Sequence, residues 1–197
     1  MKSIKLIFTN YLLPILVGLL CAFLIQHFFL GRLTVQGDSM SPNLHDTQKV
    51  FYLKNAKIKE NSVIFFNVQG VDTFSENVNA NTKYVKRVIG LPGDEIVYRN
   101  NGKVYVNHKR VAQDYITRTQ QKNTLTLSNQ EPHAKGVHLG SNRSFKIPKI
   151  KYFVLGDNRK ISNDSRYYGF VPKEKIDGIV KVPFWNNKAK FINSYNN

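Results

Sequence analysis

Residues 84–94 read YVKRVIGLPGD, and this run indicates the fold class. Tyr, Val and Ile favour extended backbone, and the Pro-Gly-Asp at 92–94 closes the run with a turn. In a strand, Tyr84, Lys86 and Val88 share one face while Val85, Arg87 and Ile89 share the other. One of the two adjacent bases must therefore point among apolar neighbours. Desolvation lowers the pKa of a lysine placed there, so it can serve as a general base. An edge strand carrying gatekeeper charges accounts for the same pattern.

Further β-rich runs lie on both sides, at 33–35, 49–53, 62–68, 95–99, 104–106, 152–155 and 178–182. Turn formers separate them at 41–43, 101–102 and 156–158. Asn101-Gly102 is a two-residue hairpin signal. From 111 to 148 the chain turns polar, rich in Gln, Asn, Thr and Lys, and reads as long strands or loops outside the core. The expected class is mainly β, and no internal repeat interrupts it.

Ahead of these strands, residues 11–30 contain no Asp, Glu, Lys or Arg: YLLPILVGLLCAFLIQHFFL. As a helix this stretch reaches about 30 Å, the thickness of a bilayer core. A buried soluble helix would keep a polar stripe, and a cleavable signal peptide would have a shorter apolar run ending in a small-x-small site. The stretch is therefore expected to be a transmembrane anchor. Lys2 and Lys5 before it give a slight bias toward a cytoplasmic N-terminus, with residues 1–10 as a tail and 31–197 outside.

The 197 residues carry a net charge of +16, and eleven bases against Asp114 and Glu131 lie between Arg99 and Lys151. No recognition helix, zinc finger or RNP-type motif accompanies that charge, so nucleic acid is not an expected partner. Anionic lipid headgroups or an anionic polymer suit a basic domain held against a membrane, and a merely solvated basic face fits equally. The single cysteine, Cys21, excludes an internal disulfide framework. The five histidines do not fall at metal-ligand spacing, so no metal site is readable.

Two more segments are specific. Residues 35–44, VQGDSMSPNL, place Ser39 on a Gly-initiated turn after a strand, where a nucleophile finds exposure and free backbone N–H groups. This is not a G-x-S-x-G elbow, and most Gly-x-Ser turns are only turns. Residues 156–172, GDNRKISNDSRYYGFVP, follow an apolar run and bring Asp157, Arg159, Asp164 and Arg166 within pairing distance along one loop. Such a loop is pinned beside an active site or lies plainly on the surface.

Taken together and in this order after an anchor, the three segments resemble type I signal peptidase, in its single-span, Gram-positive-type branch. The resemblance covers the anchor and about forty motif residues. It implies a membrane-bound serine endopeptidase with a Ser–Lys dyad and no metal or cofactor, cleaving signal peptides from exported preproteins. It also implies an antiparallel β catalytic domain with a core at about 31–100 and 150–190 and a small inserted β region at about 101–149.

Carried over by motif, Ser39 matches the nucleophile, Lys86 the general base and Ser162 the serine that orients the lysine. Arg87, Asp157, Asp164 and Arg166 match supporting ion-pair positions. Val35, Gln36, Met40, Leu44, Tyr84 and Val85 are expected to line the cleft for small residues at −1 and −3 of the preprotein. Membrane lipids and the secretion translocon are the implied neighbours. Gly37 stands where some members have an oxyanion-hole serine, and Lys160-Ile161 departs from the usual third motif. A self-cleaving Ser–Lys repressor would carry a DNA-binding domain in place of the anchor. A silent anchored protein binding anionic polymers would use the basic insertion and ignore Ser39.

Overall fold

The computed structural model describes residues 8–76, 78–126, 134–140 and 143–193. Lys2, Lys5, Glu131 and His133 lie outside them. An apolar helix runs over Phe8–Phe29, a π-helical turn at Phe8–Leu12 followed by α1 (Leu13–Phe29) with Pro14 in its first turn. It is long enough to span a membrane, and none of its residues is buried by the protein. The helix ends one residue earlier than the sequence suggests, because Leu30 already belongs to a strand.

The strands follow as β1 (Leu30–Thr34), β2 (Lys49–Leu53), β3 (Val63–Asn67), β4 (Lys83–Gly90), β5 (Glu95–Tyr98), β6 (Val104–Val106), β7 (Lys109–Arg110), β8 (Ser144–Lys146), β9 (Lys151–Leu155), β10 (Val171–Pro172) and β11 (Ile176–Lys181). All described pairings are antiparallel. Seven strands form one sheet in the order β1-β2-β11-β3-β4-β9-β10, and four form a second in the order β7-β6-β5-β8. The second sheet thus begins at Glu95, ahead of the polar stretch, and takes in Ser144–Lys146 near that stretch's end.

The edge-strand account of 84–94 fails. In β4, Arg87 pairs with Val63 of β3 on one side and Leu155 of β9 on the other. Lys86 and Arg87 are only 3% and 1% exposed. Pairing with β9 covers Arg87 to Gly90 alone, so among the described residues the Lys83–Lys86 half has β3 on one edge and no strand on the other.

Two local expectations change. The 98–104 hairpin closes through a three-residue loop: Arg99 N–H donates to Lys103 O at 2.9 Å, Gly102 N–H donates to Arg99 O at 2.8 Å, and Gly102 alone of the loop has positive φ, +72°. That is a type I turn followed by a left-handed glycine, and not the two-residue turn that Asn-Gly suggested. Within the polar stretch, α2 (Arg118–Asn123) forms where strands or loops were expected. Thr117 caps it by accepting Gln120 N–H at 3.2 Å, a local device no periodicity reveals in so short a helix. The short helices α3 (Ser165–Tyr168) and α4 (Ala189–Asn193) and a 3-10 turn at Lys173–Lys175 complete the described elements.

Three apolar clusters hold the sheets. Ile96, Tyr98, Val104 and Phe145 of the small sheet pack on Ile89, Phe153 and Leu155 of the large one. Ile64, Phe66, Val88, Val154 and Ile179 form a second group, and Val35, Met40, Leu44, Val63, Val85 and Val180 a third. Each such side chain, fully buried, contributes ~1.5–3 kcal/mol. Alternation along β4 therefore sends Val85 and Ile89 to one side and Val88 to the other, leaving Lys86 beside Tyr84 and Val88.

Candidate active site

Three chain segments converge at the open end of β4. After β1, the Val35 N–H donates to Gln48 O at 2.9 Å, and Gly37, at φ +74°, turns the chain while its N–H donates to Asp46 Oδ1 at 2.6 Å. This turn presents Ser39, half-buried, to Lys86: Nζ lies 2.9 Å from Ser39 Oγ and 3.2 Å from Val85 O. The amine also sits 4.9 Å from the centre of the Tyr84 ring. Burial lowers the Lys86 pKa to about 8; the Asp164, Asp157 and Asp72 carboxylates oppose that shift, while Arg166 adds to it.

The loop after β9 locks the nucleophile turn in place. Asn158 N–H donates to Ser39 O at 3.0 Å, and Asn158 Nδ2 to Asp38 O at 3.3 Å. Gly156 permits the approach, since a Cβ there would fall on Ser162 Oγ and on the Ser39 carbonyl oxygen. Asp157 takes a two-pronged bond from Arg87, Nε to Oδ1 at 2.8 Å and Nη2 to Oδ2 at 2.7 Å, and a third from Asn43 Nδ2 at 2.8 Å. Arg87 is satisfied further by Asn61 O and Phe191 O and stacks 4.0 Å from the Tyr115 ring centre.

Asp164 receives Arg166 in the same fashion, at 2.7 and 2.9 Å, while capping α3 and accepting Gly156 N–H at 3.0 Å. Burial alone would raise the Asp164 carboxyl, but the Arg166 guanidinium overrides it and holds the group below the usual carboxylate range. Arg159, grouped by sequence with these carboxylates, instead donates to Gly156 O, Thr124 Oγ1 and the Tyr115 hydroxyl. Ser162 Oγ is buried near Asp164 and lends its carboxylate some stabilisation, yet among the described residues it makes no well-formed hydrogen bond, to Lys86 or to any other group.

A cleft of about 380 Å³ opens beside the dyad between the end of β1 and the unpaired half of β4. Ser39, Lys86, Val35, Gln36, Tyr84 and Val85 line it. Met40 and Leu44 do not. Both are fully buried in the third apolar cluster, because Leu44 N–H and Asn43 N–H fold back onto Met40 O. A larger hollow of about 710 Å³ lies where α1 meets β1 and β2 and is lined by none of these groups.

The sequence model of the family described as "Signal peptidase, peptidase S26" matches residues 8–185. This chain belongs to the signal peptidase family. It is 33% identical over 183 residues to signal peptidase IB of Staphylococcus aureus, covering 89% of this chain and 88% of that protein. It is 32% identical over 176 residues to signal peptidase I of Bacillus amyloliquefaciens, covering 87% and 84% respectively. A crystal structure of a signal peptidase I from Enterococcus faecalis V583 matches 63% of this chain and 97% of that one, at 28% identity and a TM-score of 0.44.

For a signal peptidase, the parts needed for acyl transfer are at hand: a half-exposed hydroxyl, a buried amine with a lowered pKa beside it, and a cleft along an open strand edge. Among the described residues Ser39 N–H forms no hydrogen bond and is available to a developing oxyanion. Gly37 adds no hydroxyl there, and a Cβ at that position would meet open space. The cleft also contains Leu33, Phe65, Asn81 and Asn163, which sequence reasoning missed. Strand pairing could have supplied Phe65, which lies opposite Val85. Nothing local singled out Asn163.

Proposed function

We propose that this chain is a membrane-bound serine endopeptidase that removes N-terminal signal peptides from exported preproteins, with Ser39 as nucleophile and Lys86 as general base. The observation that carries the reading is the 2.9 Å contact between Ser39 Oγ and a buried Lys86 amine. With the amine neutral, the Ser39 hydroxyl donates along this contact and Oγ attacks the scissile carbonyl. Lys86 then protonates the leaving amine, and water resolves the acyl-enzyme.

The arrangement supports an extended peptide lying along the open Lys83–Lys86 edge of β4, its small −1 and −3 side chains entering the cleft. Arg87–Asp157 and Arg166–Asp164 serve as the struts that hold the three segments together. The apolar helix anchors the enzyme, with the N-terminal residues cytoplasmic and the domain from Leu30 onward outside, near the translocon that delivers preproteins and the lipids that surround it.

A preprotein cleavage assay tests the reading. Wild type should release the mature protein, while Ser39→Ala and Lys86→Ala each abolish release with folding and membrane association intact. The two losses should not add in the double variant, since the groups act as one unit. Lys86→Arg should fail as well, because a guanidinium stays protonated. Substantial cleavage by either alanine variant would sink the assignment, whereas a silent polymer-binding protein would release nothing even as wild type.

A further inference from the structure

One buried carboxylate next to the dyad has no part in the mechanism above. Asp72, in the β3–β4 connection, is almost fully buried and forms no ion pair among the described residues. Its Oδ1 accepts the backbone N–H groups of Phe74 at 3.2 Å and Ser75 at 3.1 Å. Its Oδ2 accepts Ser75 Oγ at 2.6 Å, Asn163 Nδ2 at 2.6 Å and the Tyr84 hydroxyl at 3.2 Å. Burial favours the neutral acid, but these donors outweigh it and keep the carboxyl below its ordinary range.

Two of the donors, Tyr84 and Asn163, line the cleft that holds Ser39 and Lys86. An ionised carboxylate only accepts hydrogen bonds, so the amide of Asn163 must turn its nitrogen toward Asp72. Ser75 has already given its hydroxyl proton to Asp72, so the Ser75 oxygen can only accept from the Asn163 amide nitrogen, at 3.0 Å. That nitrogen is thereby held against both acceptors. Flipping the amide would set its oxygen 2.6 Å from a carboxylate oxygen, two acceptors with no proton between them. The Asn163 Oδ1 atom is left facing away from Asp72, without a hydrogen bond among the described residues.

A peptide laid along one strand edge satisfies only alternate backbone groups there, and the others point the opposite way. Within a narrow cleft those remaining N–H groups need acceptors, since a buried unpaired donor costs more than a made bond returns. The geometry points to Asp72 as a positioning residue that fixes Asn163 so that its side-chain oxygen accepts one backbone N–H of the bound peptide. This deepens the peptidase reading and rests on it.

The test is a scan of one signal-peptide substrate in which each backbone amide before the scissile bond is replaced in turn by an ester, which removes one N–H. In the wild type, one such replacement should raise KM about three- to tenfold with kcat little changed. In Asn163→Ala the all-amide peptide should show a similar rise in KM, and the same ester should then cost nothing further. Asp72→Asn keeps the shape but lets the Asn163 amide turn over. It should lose the same coupling although Asn163 is intact.

If every ester penalty persists in full in Asn163→Ala, the acceptor role is overturned. If coupling is retained in a folded Asp72→Asn, the positioning role is overturned. Should Asp72→Asn not fold, Ser75→Ala, which removes the second acceptor of the Asn163 amide, puts the same question: weakened coupling supports the role and full coupling overturns it. Cleavage of the all-amide peptide by the wild type checks the peptidase reading separately, and its failure would remove the basis of both.

Discussion

Lys86 carries the clearest pH signature in the molecule. Its pKa falls from 10.5 to about 8 on folding, chiefly because the amine leaves water. Only the neutral amine can take the Ser39 proton, so kcat/KM should climb as pH rises and level off above about 8. Lys181 is also lowered to about 8 by burial, but its Nζ donates to Asn193 O, outside the cleft. A pH–rate profile of Lys181→Met should therefore keep the limb in place; a displaced limb would mean that the assignment to Lys86 is wrong. The same shift bears on stability. Between pH 8 and 10.5 the unfolded chain holds the Lys86 proton more tightly than the folded one, so wild type gains stability through this window. Below pH 8, burying the charged amine costs on the order of 3 kcal/mol. Denaturant titrations should find Lys86→Met more stable than wild type at neutral pH, with the gap closing toward pH 10.5.

At the scale of elements, the site depends on how the loop after β9 is tied to β4 and to the Ser39 turn. The Arg87–Asp157 pair is buried on both sides, at 1% and 0% side-chain exposure. Asp157→Leu strands the Arg87 charge in the interior and should cost about 3–5 kcal/mol in urea denaturation. Adding Arg87→Met should recover part of that loss, though not all, because Asn61 O and Phe191 O lose their donor. Gly156→Ala makes a different point. Its methyl group would displace Ser162 and the Ser39 carbonyl, so activity should fall roughly 100-fold, as it does when a reacting group shifts by about 1 Å. A Gly156→Ala enzyme with unimpaired kcat/KM would show that this close approach does not hold the nucleophile.

On the scale of the whole molecule, the 22-residue helix Phe8–Phe29 leads without a linker into β1, the edge strand of the large sheet. Lys54 reinforces the junction: its backbone N–H donates to Phe29 O at 3.0 Å and its Nζ to His27 O at 2.8 Å. The domain is thus held close to the end of the helix. Protease added outside cells stripped of their wall should cut after residue 31 and leave the N-terminal tail protected. Cleavage confined to the tail would reverse the proposed orientation. In the proposed mechanism Ser39 and Lys86 handle the proton between them, so processing should withstand EDTA and replacement of His27, His45, His108 and His138, all of them exposed. A folded but inactive histidine variant would contradict the dyad.

Periodicity and local chemistry determined much of this protein. An uncharged run of twenty residues implies a helix exposed to an apolar medium, and alternating β-branched residues imply strands wherever they recur. Ser39, Lys86, Arg87, Asp157, Asp164 and Arg166 could be singled out because three motifs, in order after an anchor, resemble those of one family; each motif alone left a plain turn, an edge strand or a surface loop open. Tertiary structure alone decided the rest. Alternation offers one face for Lys86 and another for Arg87, but both are buried only once distant segments pack on β4, the Ser39 turn against Lys86 and the Asp157 loop against Arg87. Met40 and Leu44 look like cleft residues in the motif, and the fold of the turn sends them to the core. Asp72 and Asn163 are 91 positions apart, and a hydrogen bond between them exists only after two loops have been brought side by side. Local sequence governs the conformation of a segment; the partners of a buried polar group depend on how distant segments pack.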